Sequence, residues 1–292
     1  MKTLTIFLFA LCLQPGARGL RAQALSLDSV SGLTINVYHS AGQRERAKEI
    51  GTRAQKAIAY TAGLLGFSPE VRLLVLSPAD WPKHTKMPVY GMPHYADSRT
   101  LIVAAEDNAF WKSFIPPLEQ LPAELAARIR ATYTHQGQLS MQPFFDLLAL
   151  HELGHAFHQQ GGLTMQRKWM GELFCNLLLH TYIAANEPAQ LPALTVFPNM
   201  VVAGGTEGFS FTTLAQFETN YNELGTKHPR NYGWYQCRLH AAAREIYDVG
   251  GKEVLQKLWT ALKGKGAETD AQLSEQMSRE VHPAVSRVLE QW

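Results

Sequence analysis

The chain has 292 residues, 46% of them hydrophobic and 18% charged, which is typical of a globular protein with a large core and excludes a disordered one. Its 27 basic and 25 acidic residues nearly balance. No basic run with interleaved aromatic residues occurs, so we expect no nucleic-acid partner. No internal repeat or low-complexity tract is present either.

Residues 1–24 have the form of a secretory signal peptide. Lys2 precedes the apolar run TLTIFLFALCL, and Ala22-Gln23-Ala24 is a small-x-small cleavage pattern. The run is too short to span a bilayer and no later run is long enough, so we expect no stable membrane span. Leu11 before Cys12 disfavours a lipoprotein site, which leaves lipid anchoring as a minor alternative. The sequence predicts a secreted or periplasmic protein.

Residues 25–142 are expected to form an N-terminal α/β lobe. Strands are predicted at Leu33–Tyr38, Val71–Leu76 and Thr100–Ala104, and a helix at Gln43–Leu65 that ends at Gly66. The stretch from Phe110 to Met141 contains a predicted helix from Pro122 to Tyr133. This helical insertion is either a lid or cleft wall, or a plain structural insertion.

The stretch Pro143–Gly162, PFFDLLALHELGHAFHQQGG, is predicted to be a helix. Proline suits its first turn, and Gly161-Gly162 is a usual stop. His151 and His155 are four residues apart, so their imidazoles share a helix face and can share a metal ion. Glu152 is placed to take a proton from an activated water. A chance match of these letters is the alternative.

A second helix is predicted from Met165 to Ala185, with Glu172 in its first part. From Leu173 onward this helix is apolar on almost every side and should be buried. A buried carboxylate needs a cation or strong donors, which a zinc ion would satisfy. Asn176, one turn further on, is placed to act as a partner for a ligating histidine. Alternatively, Glu172 is a first-turn glutamate favoured by the helix dipole.

HELGH followed by GELFCN resembles the gluzincin metallopeptidases, the group of thermolysin and aminopeptidase N. The resemblance implies that His151, His155 and Glu172 bind one zinc ion per chain and that Glu152 is the general base. It also implies an α+β, zincin-like fold: a small N-terminal mixed sheet with a helix, the active-site helix, and a mainly helical C-terminal lobe. The metzincin pattern fails, because it requires glycine at the position of His158 and histidine at the position of Gly161. His158 is expected to be a pocket-side or core residue.

In gluzincins the edge strand of the small sheet binds the substrate backbone, and Val89–Ala96 is the candidate for that strand. The aminopeptidase branch carries G-x-M-E-N there. This chain has Gly91-Met92-Pro93-His94-Tyr95, without the carboxylate that holds a free amino group. An aminopeptidase activity is therefore doubtful.

Residues 143–292 are expected to form a zinc-binding and C-terminal helical lobe that completes one catalytic unit with the first. A surface loop is predicted for Glu187–Gly208. Helices are predicted at Thr213–Tyr221, at Tyr232–Val249 before a stop at Gly250-Gly251, at Lys252–Leu262, and as two short helices in Thr269–Trp292 separated near His282-Pro283.

By the same resemblance, a tyrosine near the start of a helix stabilises the oxyanion. Counting back from Gly250-Gly251 selects Tyr235. Other donors stay open, and Tyr235 could instead serve in packing. The competing donors are Tyr221, Tyr232, His228 and His240.

The predicted function is a secreted zinc metallopeptidase that acts on a peptide or protein substrate. A binding protein with a silent peptidase fold and a zinc hydrolase of a non-peptide amide or ester are the alternatives. A serine hydrolase is disfavoured, because no G-x-S-x-G run occurs. Cys175 and Cys237 are expected to be buried thiols, with a disulfide between them as the alternative.

Overall fold

A computed structural model describes residues 27–135, 137–264, 266 and 269–292, so the signal peptide assigned to residues 1–24 lies outside it. The described chain combines many helices with a small mixed sheet, which confirms the α+β class. It divides into two compact units. The N-terminal unit comprises residues 27–161 and 192–194, and the C-terminal unit comprises the other described residues from 162 onward.

A five-stranded sheet forms the centre of the N-terminal unit. Its strands are β1 (Asp28–Val30), β2 (Asn36–His39), β3 (Arg72–Leu76), β4 (His94–Tyr95) and β5 (Thr100–Ala104). Their order is β1-β2-β3-β5-β4. The inner strands β2, β3 and β5 are parallel, with Leu73 opposite Val37 and Leu101, and both edge strands are antiparallel to their neighbours. The inner strands are parallel and rich in buried apolar residues, as expected for a sheet covered on both faces.

The predicted strands at residues 71–76 and 100–104 are confirmed to within one residue. The predicted edge strand at 89–96 is correct in place but wrong in length, because only His94–Tyr95 pairs with β5. The residues before it form a loop around Gly91, which has a positive φ of 111°. The indole of Trp111 donates to the Gly91 carbonyl at 2.7 Å, and a Cβ at Gly91 would lie 2.7 Å from Asn108. This backbone needs glycine and cannot continue as a strand.

Among the residues that the structure describes, five α-helices and a two-stranded ribbon complete the N-terminal unit. They are α1 (Arg44–Leu65), α2 (Trp81–His84), α3 (Ala109–Lys112), α4 (Ala123–Tyr133), β6 (Thr134–His135), β7 (Gln138–Leu139) and α5 (Gln142–Gln160). α1 ends at Gly66 in the left-handed conformation, as predicted. The predicted insertion helix corresponds to α4, and the helix that carries HELGH is α5.

A buried ion pair ties α5 to α1. The guanidinium of Arg46 on α1 hydrogen-bonds to the carboxylate of Asp146 on α5, and both side chains are almost fully buried. Burial raises the pKa of Asp146, and the attraction of Arg46 only partly opposes this rise. The pair fixes α5 against α1.

We expect Arg46→Met to lower the free energy of unfolding by about 3–5 kcal/mol, because it leaves Asp146 buried without its cation. The double variant Arg46→Met/Asp146→Leu should recover most of the loss, since it removes both charges. Urea unfolding of the two variants and the wild type measures the difference. A loss below about 1 kcal/mol in the single variant would show that the carboxyl group finds another partner.

Over the described residues, seven α-helices lie wholly or mostly in the C-terminal unit. They are α6 (Lys168–Asn186), α7 (Leu191–Ala203), α8 (Leu214–Lys227), α9 (Pro229–Gly250), α10 (Glu253–Ala261), α11 (Asp270–Glu280) and α12 (Pro283–Glu290). α6 is buried from Trp169 to Ile183, as its apolar sequence predicted, and packs against α8, α9 and α10. It is the central helix of this unit.

Two predictions for this unit are wrong in extent. The stretch 187–208, predicted as a loop, contains α7, with Pro192 in its first turn and Pro198 inside it. Buried Leu194 and Phe197 stabilise this helix despite its prolines. α8 continues to Lys227 beyond its predicted end and is kinked at Asn220. The predicted stop at Gly250-Gly251 and the two final short helices are confirmed.

Candidate metal centre

The two histidines of HELGH lie side by side on α5. Their ring centroids are 5.1 Å apart and the ring planes are inclined at 75°. His151 is buried. His155 is half-buried, and so is Glu152, which follows His151 in the sequence. Histidines one helical turn apart place their imidazoles on one face, the arrangement that a shared metal ion requires.

His158 orients His155. Nδ1 of His155 and Nε2 of His158 are 2.9 Å apart, so one of them donates to the other. When Nδ1 of His155 is the donor, Nε2 of the same His155 ring carries the lone pair that can ligate a metal ion. The sequence analysis missed this role of His158. Residues three apart on a helix are neighbours, so the spacing of His155 and His158 could have revealed this role.

The carboxylate of Glu172 lies near the start of α6 and is only 5% exposed. The hydroxyl of Tyr221, from α8, donates to Oε1 of Glu172 at 2.7 Å. Burial, followed by the charge of Glu172, raises the pKa of Tyr221 well above its ordinary value, so this phenol is a neutral donor. Asn176, one turn further along α6, is fully buried. Glu172 is therefore a buried carboxylate held by a side chain from another helix.

His151, His155 and Cys175 are a possible metal-binding triad by the chemistry of their donor atoms. Glu172 is not a member of this group. The sequence analysis had treated Cys175 only as a buried thiol or as half of a disulfide. Among the described residues, neither Cys175 nor Cys237 forms a disulfide, and both are buried. The position of Cys175, three residues after Glu172 on α6, could have marked it as a competing donor.

These side chains fit a zinc ion. Imidazole nitrogen, thiolate sulfur and carboxylate oxygen are the donors that zinc takes in proteins. Two histidines and one anionic residue would supply three protein ligands, and a fourth position open to water is characteristic of catalytic rather than structural zinc. These donor atoms therefore favour zinc, and either Glu172 or Cys175 would be the third ligand.

Tyr235, the predicted oxyanion donor, lies in an aromatic cluster of the C-terminal unit. Its ring is fully buried, stacks on Trp292 and contacts Phe217. Its hydroxyl donates to the backbone carbonyl of Thr213 at 2.8 Å, and burial raises its pKa. The hydroxyl thus serves packing in this structure. Among the competing donors, Tyr221 has a hydroxyl that reaches a predicted site residue, Glu172.

The chain matches no known protein family, no curated protein and no solved structure. Among the described residues, no helix has the length and apolar character needed to cross a bilayer. Function therefore has to be inferred from the side chains of the site itself.

Proposed function

We propose that this chain is a secreted or periplasmic zinc metallopeptidase with a zincin-like fold. In this proposal His151, His155 and Glu172 bind zinc, and Glu152 is the general base. The observation that carries it is the adjacent imidazole pair on α5, with ring centroids 5.1 Å apart, next to a half-buried glutamate. The buried carboxylate of Glu172 supports it, because zinc would offset the cost of burying that charge.

The chemistry divides between the metal ion and Glu152. A zinc ion, when bound, acts as a Lewis acid that activates water and polarises a carbonyl group. Glu152 accepts a proton from the water as its oxygen attacks the peptide carbonyl carbon. The same carboxyl group then gives this proton to the leaving nitrogen as the carbon–nitrogen bond breaks. Half-burial keeps Glu152 accessible to substrate while reducing competition from bulk water.

Zinc content tests the proposal most directly. The purified wild-type protein, reconstituted with zinc and dialysed, should hold about one zinc ion per chain. His151→Ala should lose it, because two remaining donors do not make a stable site. His228→Ala is the matched control: it removes the imidazole at the end of α8, which is 34% exposed, and should keep the zinc.

Elemental analysis gives the stoichiometry, and a fluorogenic peptide library gives the activity. Cleavage that a chelator abolishes and added zinc restores would support a peptidase. Zinc binding without hydrolysis of any peptide, amide or ester would favour a binding protein. Activity confined to non-peptide amides or esters would favour the other hydrolase. A wild-type protein without zinc would overturn the proposal.

A further inference from the structure

The strongest unassigned feature of the C-terminal unit is the hydrogen bond between Tyr221 and Glu172. We propose that Tyr221 is a positioning residue, which fixes the carboxylate of Glu172 for zinc binding. This inference rests on the proposed function, since it takes Glu172 to be a metal ligand. Its basis is the 2.7 Å distance from the Tyr221 hydroxyl to Oε1 of Glu172, inside a region where both residues are largely buried.

The conformation of α8 directs Tyr221 to this carboxylate. The helix is kinked at the preceding residue, Asn220, whose φ and ψ are −110° and 17°. The amide of Asn220 donates to the carbonyl of Gln216 at 2.9 Å, which satisfies a backbone group at the kink. The ring of Tyr221 then packs edge-on against Phe217, with centroids 5.1 Å apart. A kink and a packed ring restrict the directions that the hydroxyl can take.

The start of α6 is tied to the same segment of α8. The carboxylate of Glu218 accepts from the backbone N–H of Trp169 at 3.1 Å, in the first turn of α6. Lys168 donates to the backbone carbonyl of Glu218 at 2.9 Å, and its ammonium lies 5.5 Å from the centroid of the Tyr221 ring. A carboxylate at a helix start satisfies an unpaired N–H and complements the dipole. α8 therefore holds both the backbone at the start of α6 and the side chain of Glu172.

A chain of hydrogen bonds supports Tyr221 from behind. The amide of Gln236 donates to the hydroxyl of Tyr232 at 2.8 Å, and Tyr232 hydrogen-bonds to Tyr221. Each of these side chains can donate its hydrogen to the next one in the series, and the series ends at the carboxylate of Glu172, which is an anion. Linked hydrogen bonds of this kind strengthen one another and hold the final acceptor in place. Partners that orient a ligand in this way commonly matter almost as much as the ligand itself.

The test compares two tyrosines that belong to one aromatic cluster. Tyr221→Phe removes the hydroxyl that reaches Glu172, and Tyr235→Phe removes one that reaches only the Thr213 carbonyl. Zinc affinity, measured by competition with a chromophoric chelator, should fall by about 10- to 100-fold in the first variant and stay within about twofold in the second. The visible spectrum of the cobalt-substituted protein should change in Tyr221→Phe only.

Urea unfolding of the metal-free proteins separates positioning from stability. If Tyr221 were only structural, both variants would unfold more easily and bind zinc as the wild type does, which would overturn the inference alone. A wild-type protein that binds no zinc would overturn the proposed function as well. Should Tyr221→Phe fail to fold, Tyr232→Phe removes the preceding hydroxyl in the series and should weaken zinc binding by about two- to fivefold. Unchanged affinity in Tyr232→Phe would then count against the inference.

Discussion

Glu152→Gln is expected to lower peptide turnover by about 10²- to 10⁴-fold while leaving the zinc content at the wild-type level. The amide is nearly isosteric with the carboxylate, but it cannot accept the proton of the attacking water. Glu152 follows His151 on α5 without being a predicted ligand, so its replacement should not remove a donor from the metal. Turnover at saturating substrate, measured together with elemental analysis, checks both halves of this expectation.

Glu187→Gln is a suitable control for that experiment. Glu187 is also half-buried, and it accepts a hydrogen bond from the Tyr182 hydroxyl at 2.9 Å, but it lies just beyond the end of α6. Its replacement should leave turnover within about twofold, as is usual for changes that touch no reacting atom. If Glu152→Gln turned over substrate as fast as the wild type while holding one zinc ion, another group would have to be the base.

The strands and helices predicted well are those in which local pattern and tertiary packing agree. The apolar runs that became β3 and β5 are inner parallel strands, where nearly every side chain is buried. α1 combines a long helical pattern with Gly66, which adopts the left-handed conformation needed at its end. In these elements no competing signal exists, so sequence was sufficient.

The errors fall where composition and packing disagree. The stretch 187–208 is rich in proline, glycine and small residues, which favours a loop, yet Pro198 lies inside α7, where burial of Leu194 and Phe197 offsets the missing backbone hydrogen bond. β1 is only three residues long, too short for an alternating pattern to appear. The kink at Asn220 lets α8 continue past the residue where its pattern changes. Such features depend on contacts that sequence periodicity does not contain.

In the candidate site, too, the features set by local helix geometry could be predicted and those set by tertiary packing could not. The spacing of His151 and His155 predicted their shared face, because helix geometry alone determines it. The hydrogen bond from Tyr221 to Glu172 could not be predicted in this way, since the direction of the Tyr221 hydroxyl depends on a kink and on ring packing. The oxyanion role of Tyr235 stays a prediction, and its hydroxyl bonds to a backbone carbonyl in the structure. Cys175 was overlooked because a buried cysteine in an apolar helix is ordinarily a packing residue.

Glu172→Ala is expected to weaken zinc binding by more than about 100-fold, beyond the range usual for residues that only orient a ligand. Cys175→Ser should change it by less than about tenfold, although Cys175 belongs to the possible metal-binding triad. The reason is charge. Glu172 is held by the hydroxyl of Tyr221, a donor that stabilises an anion, whereas Cys175 lies fully buried in the apolar part of α6.

The cobalt-substituted protein separates the two donors directly, because a thiolate ligand gives an intense near-ultraviolet charge-transfer band and a carboxylate does not. We expect this band to be absent from the wild type and from Cys175→Ser. A strong band that disappears in Cys175→Ser, together with zinc affinity that survives Glu172→Ala, would make Cys175 the third ligand. Thiolate ligation is common in structural zinc sites, and it would lower the positive charge available to a carbonyl group. That result would keep three protein ligands and an open fourth position, but it would replace Glu172 by Cys175 and so remove the gluzincin ligand set from the proposal.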